Sequence, residues 1–97
     1  MCEISNQIAE QKYNGLQVQK AVETSRFDIL SISLEKDALF PEHSSPTDAE
    51  LIVLEGEIIF YIEDESYQLT EYQRFSFPKK TLHWVKAKTN SKFLIVR

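Results

Sequence analysis

Ala49-Glu50-Leu51-Ile52-Val53-Leu54-Glu55-Gly56-Glu57-Ile58-Ile59-Phe60-Tyr61-Ile62 is the stretch that decides the fold class. Two runs of Leu, Ile, Val, Phe and Tyr flank Glu55-Gly56, which reads as two strands joined by a tight hairpin turn. Working outward, the two-residue period recurs. Leu30, Ile32 and Leu34 alternate with serines in residues 27–34, and Leu16, Val18 and Lys20 alternate with Gln17, Gln19 and Ala21. Beyond the polar Glu63-Asp64-Glu65-Ser66 turn come residues 67–69, 74–77, 82–87 and 93–96. About eight short strands with turn signals roughly every 8–12 residues imply an all-β sandwich or barrel. No helical stretch between them is long enough for a βαβ crossover, so parallel α/β folds are excluded.

The rest of the chain adds little secondary structure. Residues 1–15 form an N-terminal segment in which Ser5 or Asn6 caps a short helical turn from Gln7 to Lys12 and Gly15 ends it. Residues 16–97 form the β domain. A chain of 97 residues has room for one domain only. Its net charge of −4, from 15 acidic and 11 basic residues, gives nucleic acid no footprint. Lys79, Lys80, Lys86, Lys88 and Lys92 read as a solvated face. The single cysteine, Cys2, cannot cross-link its own chain. With no signal pattern and no apolar run near ~20 residues, the expected chain is soluble and cytoplasmic, away from membranes.

Two stretches carry the chemistry: Asp37-Ala38-Leu39-Phe40-Pro41-Glu42-His43-Ser44-Ser45-Pro46-Thr47-Asp48-Ala49-Glu50-Leu51-Ile52-Val53-Leu54-Glu55-Gly56-Glu57, and Tyr72-Gln73-Arg74-Phe75-Ser76-Phe77-Pro78-Lys79-Lys80-Thr81-Leu82-His83. Together they resemble the two motifs of the cupin superfamily, G-x5-H-x-H-x3,4-E-x6-G and G-x5-P-x-G-x2-H-x3-N. The Val-Leu-Glu-Gly-Glu turn and the Pro-x4-His element are the most specific matches. The resemblance implies an antiparallel jelly-roll β-barrel, and in its metal-binding members a divalent ion held by three histidines and a glutamate.

Position by position, the resemblance places His43 and His83 at ligand positions, Ser45 at the second histidine and Ala49 at the glutamate. Asp37, Tyr72 and Lys80 replace three motif glycines, Gly56 retains the fourth, and Ala87 stands at the asparagine. The three altered turns are expected to form without positive φ. A firmly held transition metal usually needs three or more protein ligands. Glu50 and Asp48 are each one residue out of step with Ala49, and so belong to the opposite strand face. A bulge at Pro46 is the device that would turn Glu50 inward.

The expectation is therefore a small-molecule-binding cupin, not an enzyme, with His43, Ser45, Ala49 and His83 around its pocket and no resident cofactor. The alternative is a metal-dependent enzyme of dioxygenase or isomerase type, with Zn, Fe, Mn or Ni on His43 and His83. Ser45 has no nucleophilic elbow around it, so serine hydrolysis is not expected. The bland reading leaves the two imidazoles as neutral pocket histidines. Residues 50–54 and 57–62 are apolar on both parities, and only one parity can fill an interior. The other set, including Ile52, Leu54 and some of Ile59, Tyr61 and Trp84, calls for cover, and a homodimer supplies it.

Overall fold

The structure is a computed structural model describing every residue from Met1 to Arg97. A four-residue helix, α1 (Gln7–Glu10), precedes nine strands: β1 (Leu16–Glu23), β2 (Asp28–Leu34), β3 (Leu39–His43), β4 (Ala49–Glu55), β5 (Glu57–Ile62), β6 (Glu65–Thr70), β7 (Arg74–Phe77), β8 (His83–Ala87) and β9 (Ser91–Val96). All pairings are antiparallel. They resolve into a five-stranded sheet, β1-β2-β9-β4-β7, and a four-stranded sheet, β3-β8-β5-β6. The arrangement is consistent with a jelly roll, with the hydrogen-bonded ladders falling into two sheets. Strand β3 was not legible from periodicity. Pro41 interrupts it and its burial does not alternate.

The inner faces enclose one core. Ile32, Leu34, Leu51, Val53 and Phe93 from the larger sheet meet Ile58, Phe60, Val85 and Ala87 from the smaller one. Strict alternation on β4 and β5 buries Leu51, Val53, Ile58 and Phe60 and turns Ile52, Leu54, Ile59 and Tyr61 outward. Those outward residues belong to two different sheets. The expectation of one apolar face made of Ile52, Leu54, Ile59, Tyr61 and Trp84 is thus corrected: the Gly56 turn carries the chain from one sheet to the other.

Part of the larger sheet's outer face is covered by the chain's own start. Gln11 lies buried across β2, its amide Nε2 donating to the carbonyls of Ser31 and Gln17 while its Oε1 accepts from the Ser31 hydroxyl. The Ser33 hydroxyl donates to the Lys12 carbonyl. Lys92, only 7% exposed, donates from Nζ to the carbonyls of Ile8 and Ala9. The Tyr13 hydroxyl donates to Glu55, and burial together with that carboxylate holds the phenol well above its usual range. The strap is anchored by polar contacts, and α1 buries no residue.

A second correction concerns the turns. Asp37, Tyr72 and Lys80 all adopt positive φ, at 68°, 70° and 57°. Each is held there by its backbone N–H, which donates to a distant carbonyl: Asp37 to Ala87, Tyr72 to Val53, Lys80 to Ser45. The tertiary hydrogen bond overrides the side chain's steric preference.

Candidate functional site

His83 opens β8 and alternates with Trp84, which places its ring on the inner face, 1% exposed. His43 reaches the same place through a bulge. Phe40 pairs with Val85 and His43 with His83, so three steps on β3 answer two on β8. Without the extra residue His43 would face outward. Pro41, with no N–H to give the ladder, suits the irregular position. The bulge thus falls at Pro41 and Glu42, not at Pro46. It turns His43 inward, and Glu50, on the regular strand β4, stays on the outer face, accepting from the Ser76 hydroxyl.

The two imidazoles meet edge to face, ring centres 4.3 Å apart at 69°, with their Nε2 atoms 3.1 Å apart. Each Nδ1 lies beside the carbonyl oxygen two residues back: His43 beside Pro41 at 2.8 Å, His83 beside Thr81 at 3.0 Å. A carbonyl only accepts, so in each of these contacts a hydrogen on Nδ1 donates. The 3.1 Å contact between the two Nε2 atoms is a hydrogen bond when one of them carries a hydrogen, and the two nitrogens converge on one point. Burial holds His83 below the usual histidine range; the Thr81 carbonyl works against this and His43 reinforces it.

Aromatic rings wall the pair. Phe40 stacks on His43 at 4.2 Å, Phe60 on His83 at 5.1 Å, and Phe77 meets His83 edge-on at 4.8 Å. These walls were missed in the sequence because an inward phenylalanine on a strand looks the same whether it fills a core or lines a site. Ser45 is buried, but its hydroxyl donates to the Thr47 carbonyl in its own turn and does not reach the histidines. Ala49 is buried on the inner face, paired with Phe77. A cleft of about 370 Å³ is lined by Asp48, Ala49, Glu50, Ser76, Phe77 and Pro78, and neither histidine is among its lining residues.

The family model described as "Cupin domain" matches residues 31–96. This chain belongs to the cupin family. Solved structures agree on the fold. An RmlC-like cupin of Desulfovibrio desulfuricans superposes with a TM-score of 0.86 at 23% identity, covering 99% of this chain and 95% of the other. A conserved Streptococcus pyogenes protein of unknown function gives 0.83 at 24%, covering 99% and 86%. A cupin superfamily protein of Desulfitobacterium hafniense gives 0.81 at 20%, covering 90% and 80%. No curated protein matches the sequence.

The cupin's residues fit the family's metal only in part. Two Nε2 atoms 3.1 Å apart can both approach one ion at about 2.0–2.1 Å. No third His, Cys, Asp or Glu joins them. The Ala49 methyl and the engaged Ser45 hydroxyl stand where the resemblance puts the remaining ligands. Two imidazoles do not make a protein-enclosed site for a resident metal.

Proposed function

We propose that this cupin binds a small molecule without catalysing its conversion. The facing Nε2 atoms of His43 and His83 are the polar contact, and Phe40, Phe60 and Phe77 are the apolar surround. The observation that carries this reading is the convergence of two ring nitrogens, 3.1 Å apart, among aromatic rings. A ligand hydroxyl or amine exchanges hydrogen bonds with these nitrogens, and the rings take its apolar part. In this reading Ser45 and Ala49 add no reactive group to the pair.

The runner-up is a metal-dependent enzyme of dioxygenase or isomerase type. One observation favours it: metal-ligating histidines also donate their second ring N–H to a carbonyl. Ligand-detected NMR with a fragment library separates the two. Hits on metal-free protein that vanish in both His43→Ala and His83→Ala support the binding module. Hits that appear only after Zn, Fe, Mn or Ni is added overturn it.

The homodimer belongs to the same proposal, on the outer face of the five-stranded sheet. Ile29, Ile52, Leu94 and Val96 lie there half-buried in cross-strand rows beside the N-terminal strap. A two-fold contact through that patch is self-complementary.

A further inference from the structure

The outer face of the four-stranded sheet bears a second site-like feature, separated from the histidine pair by the thickness of the sheet. Tyr61 and Trp84 are cross-strand partners, and their rings stack at 3.7 Å and within 5° of parallel. Stacked this way, each ring keeps one face away from the other. Tyr61 is paired on its other side with Ser66, too small to cover a ring, and Trp84 is flanked by the bulge that carries Glu42. Leu82, 59% exposed, extends the apolar floor. These residues line a cleft of about 670 Å³.

The cleft's rim is acidic. Glu42, Glu63, Asp64 and Glu65 border it against a single lysine, Lys80. None of the four carboxylates is neutralised within the chain. The three ion pairs, Lys20–Glu23, Lys88–Glu57 and Lys92–Glu55, all lie elsewhere. An aromatic floor attracts cations through the ring quadrupole, and unpaired carboxylates add to that field.

We infer that this cleft binds a weakly hydrated organic cation, an alkylated ammonium or a guanidinium, over the Tyr61–Trp84 stack with Glu42, Glu63, Asp64 and Glu65 supplying the counter-charge. A compact primary ammonium is held more strongly by water, whereas an alkylated or planar cation gives up its hydration readily against an aromatic ring. A second copy of this chain is a poor occupant, since a two-fold contact here would set four carboxylates against four. A phosphate-bearing ligand is repelled for the same reason. The inference is independent of the His43–His83 reading: His83 and Trp84 are adjacent on β8 and point to opposite faces.

Trp84 is the only tryptophan, so its fluorescence reports on the cleft directly. Titration with tetramethylammonium chloride and with methylguanidinium chloride, at constant ionic strength, should give a saturable change with Kd on the order of 1 mM. Tyr61→Leu, and separately the triple variant Glu63→Gln, Asp64→Asn, Glu65→Gln, should each weaken binding by about fivefold or more while the circular dichroism spectrum is unchanged. The triple variant leaves the rings untouched, so it keeps the test valid if Tyr61→Leu disturbs folding. A response matched by sodium chloride, an affinity unaltered in the charge variant, or ring-proton shifts at His43 and His83 instead of at Tyr61 and Trp84 would each overturn the inference.

Discussion

A Cβ placed on Gly56 would lie 2.4 Å from the carbonyl oxygen of Asn90, with φ at +87°. This close approach explains why Gly56 alone survives of the four motif glycines. The other three positions need only positive φ, and Asp37, Tyr72 and Lys80 meet that need on the exposed surface. Gly56 needs positive φ and the absence of a side chain, because the β4–β5 turn crosses directly over the start of β9. Gly56→Ala should therefore cost about 3 kcal/mol or more, combining overpacking against backbone with left-handed strain. Urea unfolding measures it, and a loss under 1 kcal/mol would contradict this reading of the turn.

The converse substitutions should stabilise. Asp37→Gly, Tyr72→Gly and Lys80→Gly each keep the backbone N–H that bonds Ala87, Val53 or Ser45 and remove a Cβ from the left-handed region. Relief of about 1 kcal/mol is partly offset by the greater freedom of glycine in the unfolded chain, leaving a gain of about 0.5 kcal/mol each. Effects at separated turns add, so the triple variant should melt several degrees higher. An unchanged or lower melting temperature would contradict the strain.

Stability should fall on acidification in a way that depends on His83. Burial depresses its pKa in the folded state, so the unfolded chain binds a proton more readily. The neutral ring's contribution is fully present above the ordinary histidine pKa of about 6.5 and is lost as pH drops through the lower folded value. Unfolding free energies at pH 7.5 and pH 5 should show the decline, and His83→Phe should flatten it. An equal decline in that variant would place the sensitive group elsewhere.

Sedimentation equilibrium at micromolar concentration tests the dimer. A mass near twice the 11.3 kDa of one chain is expected. Ile52→Glu, on the outer face of β4, should return it to one chain, whereas Tyr61→Leu on the other sheet should not. A wild-type mass of a single chain would show that the N-terminal strap provides all the cover this face has.

Much of the fold was legible in the sequence, because alternation on β4, β5 and β8 coincides with burial, while on β2 and β9 the outward Ser31, Ser33 and Lys92 are buried as well. The family was legible from the spacing of His43, Gly56, Pro78 and His83. What the pattern could not convey was irregularity. The bulge at Pro41 and Glu42 hid β3, and the bulge expected at Pro46 was drawn from a proline that does not interrupt a strand. The positive φ values were hidden because Asp, Tyr and Lys signal them weakly and the force imposing them is a long-range hydrogen bond. The Nδ1–carbonyl contacts of His43 and His83 were equally out of reach, since they depend on carbonyls whose direction the bulge and the Thr81 loop decide.

The central claim is that His43 and His83 serve a small molecule directly, with no resident metal between them. Plasma mass spectrometry on protein purified without an affinity tag or chelator tests it most directly. The expected result is less than about one-tenth of an equivalent of Zn, Fe, Mn and Ni combined per chain, consistent with the two-donor set. One equivalent of any of these metals in the wild type, lost in His43→Ala and His83→Ala, would contradict it.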